Sequence, residues 1–131
     1  MPSIFTKIIN GEIPCYKIHE DEYTFSFLDI NPINIGHTLI VPKIEIDNFV
    51  DVPEPYYSAV FTNAKIISKA IQRATGCNRV STVIAGWDVP HFHYHLIPTN
   101  IFSDLDFKKA KSIGSEEMKK IQDNIIKILS E

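Results

Sequence analysis

The stretch Pro90-His-Phe-His-Tyr-His-Leu-Ile-Pro98 holds three of the chain's five histidines, at alternate positions over five residues. Side chains along a β-strand point alternately to opposite faces, so a strand over residues 91–97 sets His91, His93 and His95 in a row on one face. Phe92, Tyr94 and Leu96 then turn toward a core on the other. Three readings fit this row. The histidines decorate an exposed sheet face; or they bind a metal, since neutral imidazole suits zinc, copper, iron or nickel; or one is a nucleophile whose neighbours serve a phosphate. The motif by itself does not separate the last two.

Working outward, residues 80–85 form a second strand, joined to the first by Gly86-Trp-Asp-Val-Pro90. Between Pro53 and Gly76 lies the longest helical pattern, with Tyr57, Val60, Phe61, Ala64, Ile67 and Ile71 on one stripe and Lys65, Lys69 and Gln72 opposite. Residues 15–19 and 23–29 read as a hairpin around the charged turn 19–22, and residues 38–41 as a strand stopped by Pro42. Ser3 caps a short N-terminal helix containing Ile4, Phe5, Ile8 and Ile9, which Gly11 ends. After a loop over 98–114, Ser115-Glu-Glu-Met opens a last helix with the spacing of a capping box, and its apolar face is Met118, Ile121, Ile125, Ile128 and Leu129. The expected class is α+β: about five strands in an antiparallel sheet, with one long helix, a short N-terminal helix and a C-terminal helix.

The 131 residues point to one domain over 1–131, and 44% hydrophobic with 22% charged residues is ordinary globular composition. A net charge of −3 gives no general attraction to nucleic acid or to an anionic membrane, so neither is an expected partner. No apolar run reaches the ~20 residues that span a bilayer, and the N-terminus lacks a secretory pattern. Cys15 and Cys77 form no C-x-x-C pair and read as two buried free thiols, which makes cytoplasm the expected location.

The triad segment, with Gly36-His-Thr-Leu-Ile-Val-Pro-Lys43, Ile4-Phe-Thr-Lys-Ile-Ile-Asn-Gly-Glu-Ile-Pro14, Phe27-Leu-Asp-Ile30 and Asn31-Pro32, resembles the histidine triad (HIT) family of nucleotide hydrolases and transferases. The resemblance runs over residues 3–98 and implies a homodimer of five-stranded sheets, a purine nucleotide substrate and no cofactor. It makes His93 the nucleophile at an α-phosphorus, with His91, His95 and His37 completing the catalytic set. Neutral imidazole suits that role, because it is nucleophilic near pH 7 and is not repelled by phosphate charge. Both flanking histidines are expected to donate hydrogen bonds to phosphoryl oxygens. By resemblance Asp29 accepts from both ribose hydroxyls; its plainer use is a turn carboxylate before Asn31-Pro32. Phe5, Ile8, Phe27 and Ile30 would form the apolar slot for the base, and each is equally an ordinary core residue. The substrate class is a dinucleoside polyphosphate or a nucleoside phosphoramidate. The rivals are a nucleotide-binding module with decayed catalysis and a triad metalloenzyme.

Two departures stand out. Where many members of the family hold zinc with C-x-x-C and a further histidine, this chain has Ser3-Ile-Phe-Thr6 and Glu45, so no metal is expected there. Where the family carries Gln and Ser donors before the triad, this chain has Trp87, Asp88 and Val89. Trp87 reads as a lid or wall, Asp88 as a repeller of phosphate, and Ser81 or Thr82 as a replacement donor.

Overall fold

The computed structural model describes residues 2–131. Its elements, in chain order, are α1 (Ile4–Ile9), β1 (Lys17–Glu20), β2 (Thr24–Leu28), β3 (Thr38–Pro42), α2 (Tyr56–Thr75), β4 (Arg79–Val83), β5 (Tyr94–Thr99) and α3 (Ser115–Leu129). The five strands form one antiparallel sheet in the order β1-β2-β3-β5-β4, which is the α+β architecture expected.

Alternation divides the sheet into two apolar layers. On one face Leu28, Ile40 and Leu96 pack with Val60, Ile67 and Ile71 of α2 and with Met118, Ile121 and Ile125 of α3. On the other, Phe25, Phe27, Leu39 and Val41 pack with Phe5 and Ile8 of α1. Strand β2 is buried along its whole length because both layers use it. Ser3 caps α1 as expected, its Oγ accepting from the Thr6 amide at 3.0 Å. Gly76, in the left-handed region at φ +71°, closes α2.

Several expectations need correction. The strand carrying the triad begins at Tyr94, not at His91, because its neighbour β3 ends in Pro42, which has no amide to continue the ladder. The Phe92 amide donates instead to the Ile46 carbonyl at 2.7 Å. Downstream, β5 runs through Pro98 to Thr99. Pro98 is tolerated because β3 pairs no further along β5 than Leu96. His19 lies in β1, and the turn is made by Asp21, whose carboxylate accepts from the Tyr23 and Thr24 amides. No capping box opens α3: the residue three after Ser115 is Met118, which is buried and apolar, and Gly114 occupies the cap. Cys77 is buried but Cys15 only half so, and both thiols are free. Among the described residues no helix is long and apolar enough to cross a membrane.

Gly36 sits at φ +102°, and a Cβ there would lie 2.8 Å from Thr75 Cγ2 and 3.3 Å from Pro98 Cγ. Alanine would add both backbone strain and a clash, so Gly36→Ala should cost about 2–4 kcal/mol. A denaturant midpoint unchanged from the parent chain would refute this.

Candidate active site

The triad segment enters from the loop after Gly86 and crosses the α1 face of the sheet. His91, His93 and His95 are all buried there, on one side of the chain, while Phe92 and Leu96 enter the opposite layer. The ring of Phe5 stands edge-on to His91 and His93, with centroids 5.8 and 4.9 Å apart. Val89 packs against the same apolar layer.

Hydrogen-bond partners, backbone and side chain, set the tautomers of His37, His91, His93 and His95. The Ile33 amide donates to His37 Nδ1 at 3.1 Å, so His37 carries its proton on Nε2. That proton goes to His95 Nδ1 at 2.9 Å. His95 is therefore protonated on Nε2, and this N–H is left free to meet a ligand. Burial, reinforced by repulsion from His95, pushes His37 down to about 3. His95 falls to about 4, mainly through burial and then through repulsion from His93. Both are neutral at pH 7.

His93 is turned the other way. The His91 carbonyl accepts from its Nδ1–H at 2.8 Å, which in the neutral ring puts the lone pair on Nε2. That Nε2 is closed to solvent and has no hydrogen-bond partner. An Asp88 carboxylate oxygen lies 3.3 Å away, but in an alignment that makes no hydrogen bond. An unprotonated nitrogen without a partner, its other nitrogen fixed by a backbone carbonyl, is chemically a nucleophile or a base.

The His91 ring corrects the expectation that both neighbours serve phosphate. Its Nε2–H goes to the Pro42 carbonyl at 2.9 Å, and its Nδ1 accepts from the Ser3 hydroxyl at 2.8 Å. Neither nitrogen is left for a ligand.

Asp29 directly follows β2 and makes the turn considered for it. One carboxylate oxygen accepts from the Asn31 amide at 2.9 Å, making the turn, while the other lies 3.7 Å from His37 Nε2. Burial holds its carboxyl above the ordinary range despite the Asn31 amide, and the nearby charge of Asp88 adds to this.

Other expected site residues are placed differently. Phe5, Ile8 and Phe27 are core residues packed on one another, whereas Ile30 is 61% exposed and lies outside that cluster. Trp87 is 97% exposed and walls nothing in this conformation. Thr82 is opposite Leu96 in the β4–β5 ladder, so it faces the helix layer, away from the triad. Ser81 is on the triad face, but its hydroxyl is paired with Thr99 at 2.8 Å.

The sequence reading missed Phe107. A short 3-10 turn at Phe107–Lys109 lays this ring edge-on to His95, with centroids 5.0 Å apart, and 6.5 Å from His37. One of two phenylalanines in a charged loop, it gave no periodic signal to find it by.

Among the described residues, the one group of three or more possible metal ligands with converging atoms is Asp29, His37 and His95. The three triad imidazoles do not converge, which corrects the metal reading of the motif itself.

An antiparallel sheet whose alternate imidazoles are held in distinct hydrogen-bonded states defines a histidine-triad type of protein. The profile of the HIT domain matches residues 10–101. An uncharacterized HIT-like protein of Borreliella burgdorferi is 37% identical over 120 residues, 86% of each chain. The adenosine 5′-monophosphoramidase HNT1 of Saccharomyces cerevisiae is 40% identical over 96 residues, 72% of this chain and 61% of that one. The solved structure of a hypothetical histidine triad nucleotide-binding protein from Sulfolobus tokodaii superposes with a TM-score of 0.86 at 28% identity, over 97% of this chain and 91% of that one. The chain belongs to the HIT family.

Proposed function

We propose that the protein hydrolyses, or transfers the nucleotidyl group of, a purine nucleotide conjugate at its α-phosphorus through a nucleotidyl-His93 intermediate. The observation that carries this reading is the His93 imidazole itself, with Nδ1–H held by the His91 carbonyl and Nε2 bare. The Nε2 lone pair forms a bond to phosphorus, and the bond to the leaving group breaks with its electron pair going to that group, which takes up a proton. Water then attacks the same phosphorus as the nitrogen–phosphorus bond breaks, releasing the nucleoside monophosphate and neutral His93 and returning to solvent the proton that the leaving group had drawn from it. The free Nε2–H of His95 is the donor for a phosphoryl oxygen. Asp29 is assigned to the ribose hydroxyls, and a base would cover the exposed Ile30 beside it. The kinship with a monophosphoramidase favours an amine leaving group. Brief reaction with labelled nucleoside phosphoramidate, quenched in denaturant, should leave label on His93; turnover with no labelled protein at any time would reject the intermediate.

A binding module with decayed catalysis is the second reading, favoured by Asp88 lying over the attacking nitrogen. Turnover by the parent chain separates the two readings, and Asp88→Asn tests what that carboxylate does. A carboxylate a few ångströms from the docking phosphorus acts against each added negative charge by about 1 kcal/mol in water. Asp88→Asn should therefore raise kcat/KM for a dinucleoside polyphosphate relative to a phosphoramidate by about fivefold. An unchanged ratio would remove Asp88 from substrate selection, and a parent chain that binds nucleotide without turnover would favour the binding module.

We also propose a homodimer paired through β4. This strand is an edge of the sheet and is only half-buried, and residues 80–86 carry no charge, a combination that proteins cover. Light scattering at micromolar concentration should give the mass of two chains; one chain's mass would end the proposal. Ile84 packs on the helix-side core, so its substitution would test stability rather than the interface.

A further inference from the structure

Ser3, Thr6 and Glu45 stand where the family resemblance implies a zinc site, and their arrangement does not fit one. The Ser3 hydroxyl donates to His91 Nδ1 at 2.8 Å, and the Thr6 hydroxyl donates to Glu45 Oε1 at 2.6 Å. Glu45 Oε1 also accepts from the Ser3 amide at 2.6 Å, and Ser3 Oγ accepts from the Thr6 amide at 3.0 Å. Every polar hydrogen facing the cluster is spent on another member. No thiolate is present, and the His91 nitrogen that could face a cation is already occupied. The residues form a closed hydrogen-bonded clasp in that place.

The clasp ends on the triad. Ser3 and His91 are buried, and the Pro42 carbonyl fixes the other His91 nitrogen at 2.9 Å. The His91 ring is thus pinned at both ends, and the carbonyl of this same residue holds His93 Nδ1–H.

We propose that the Ser3–Thr6–Glu45 clasp is a positioning device for catalysis: by pinning His91 it sets the carbonyl that selects the His93 tautomer with a bare Nε2. The inference rests on His93 being the nucleophile. Glu45 is its outermost member, an exposed carboxylate that touches none of the reacting groups and acts through Ser3 and Thr6. Without the Ser3 hydroxyl, His91 Nδ1 is a buried acceptor with no strong partner, so ring and carbonyl shift together. Displacements of a fraction of an ångström at an attacking atom cost rate rather than affinity.

The test uses the full chain in four variants: Ser3→Ala, Ser3→Thr, Glu45→Ala and Glu45→Gln. Ser3→Ala and Glu45→Ala should lower kcat on a nucleoside phosphoramidate about tenfold, with adenosine monophosphate affinity within about twofold. Ser3→Thr and Glu45→Gln, which keep the hydroxyl and the acceptor oxygen, should restore most of the loss. Nitrogen-15 spectra of the histidines should show a single Nδ1–H form of His93 in the parent and a mixture of tautomers in the two alanine variants. This readout needs no turnover, so failure of the clasp and failure of the hydrolase reading are separate results. An unchanged His93 tautomer and unchanged kcat in folded Ser3→Ala would overturn the proposal. So would stoichiometric zinc in the parent that survives dialysis and is lost in that variant.

Discussion

His93→Ala is expected to lower turnover of a nucleoside phosphoramidate by at least about 10³-fold while leaving adenosine monophosphate affinity within about tenfold. The split follows from what the side chain does. Its Nε2 makes no bond in the resting protein, so its contribution is realised when the bond to phosphorus forms. The ring also packs beside Phe5 and His95, and its loss leaves a small cavity. A melting curve therefore has to accompany the kinetics. His93→Gly fills less of the site and should accept added imidazole as a substitute nucleophile, recovering part of the rate. If His93→Ala keeps more than a few per cent of the parent's activity while folded, His93 is not the nucleophile.

The parts of this molecule that a linear pattern records were legible in the sequence. Three histidines at alternate positions announce one face of an extended segment, and that face is where His91, His93 and His95 lie. The stripe from Val60 to Ile71 announces α2. What the sequence withheld depends on the third dimension. Whether His91 offers a proton to a ligand depends on a carbonyl 49 residues away and a hydroxyl 88 residues away, and no local signal records either. Thr82 and Ser81 differ only in parity, which a register read from sequence alone does not fix. Phe107 reaches the site because its loop folds back onto the β2–β3 connection, where the Lys111 amide meets the Pro32 carbonyl at 3.2 Å. The two departures from the family pattern were visible as residue types, yet their consequences were not. The serine, threonine and glutamate close on one another, and the aspartate comes to rest over His93.

Substituting His95 should cost kcat about 10²–10³-fold, because it removes the one imidazole N–H left free to meet phosphoryl charge. His95→Ala also strands the His37 Nε2–H in a buried position, a loss of about 1–3 kcal/mol in stability. His95→Gln keeps a donor and an acceptor on a side chain of similar reach, and separates the two effects. If His95→Gln folds like the parent yet loses rate as severely as alanine, position matters more than the donor itself. The pH dependence supplies an independent check. Free histidine takes up a proton near 6.5, whereas burial holds His95 at about 4 and His37 at about 3. Between those values the unfolded chain binds protons that the folded chain refuses, so the contribution of these two histidines to stability is constant above about pH 7 and declines as pH falls from 6.5 toward 4. Protonating His95 puts a hydrogen on Nδ1, facing the His37 Nε2–H, and breaks the relay. The loss of kcat due to His95 should therefore begin near pH 4. An acid limb near 6.5 that disappears in His95→Gln, measured where the parent is still folded, would show that His95 titrates freely and that the relay from Ile33 through His37 does not hold it.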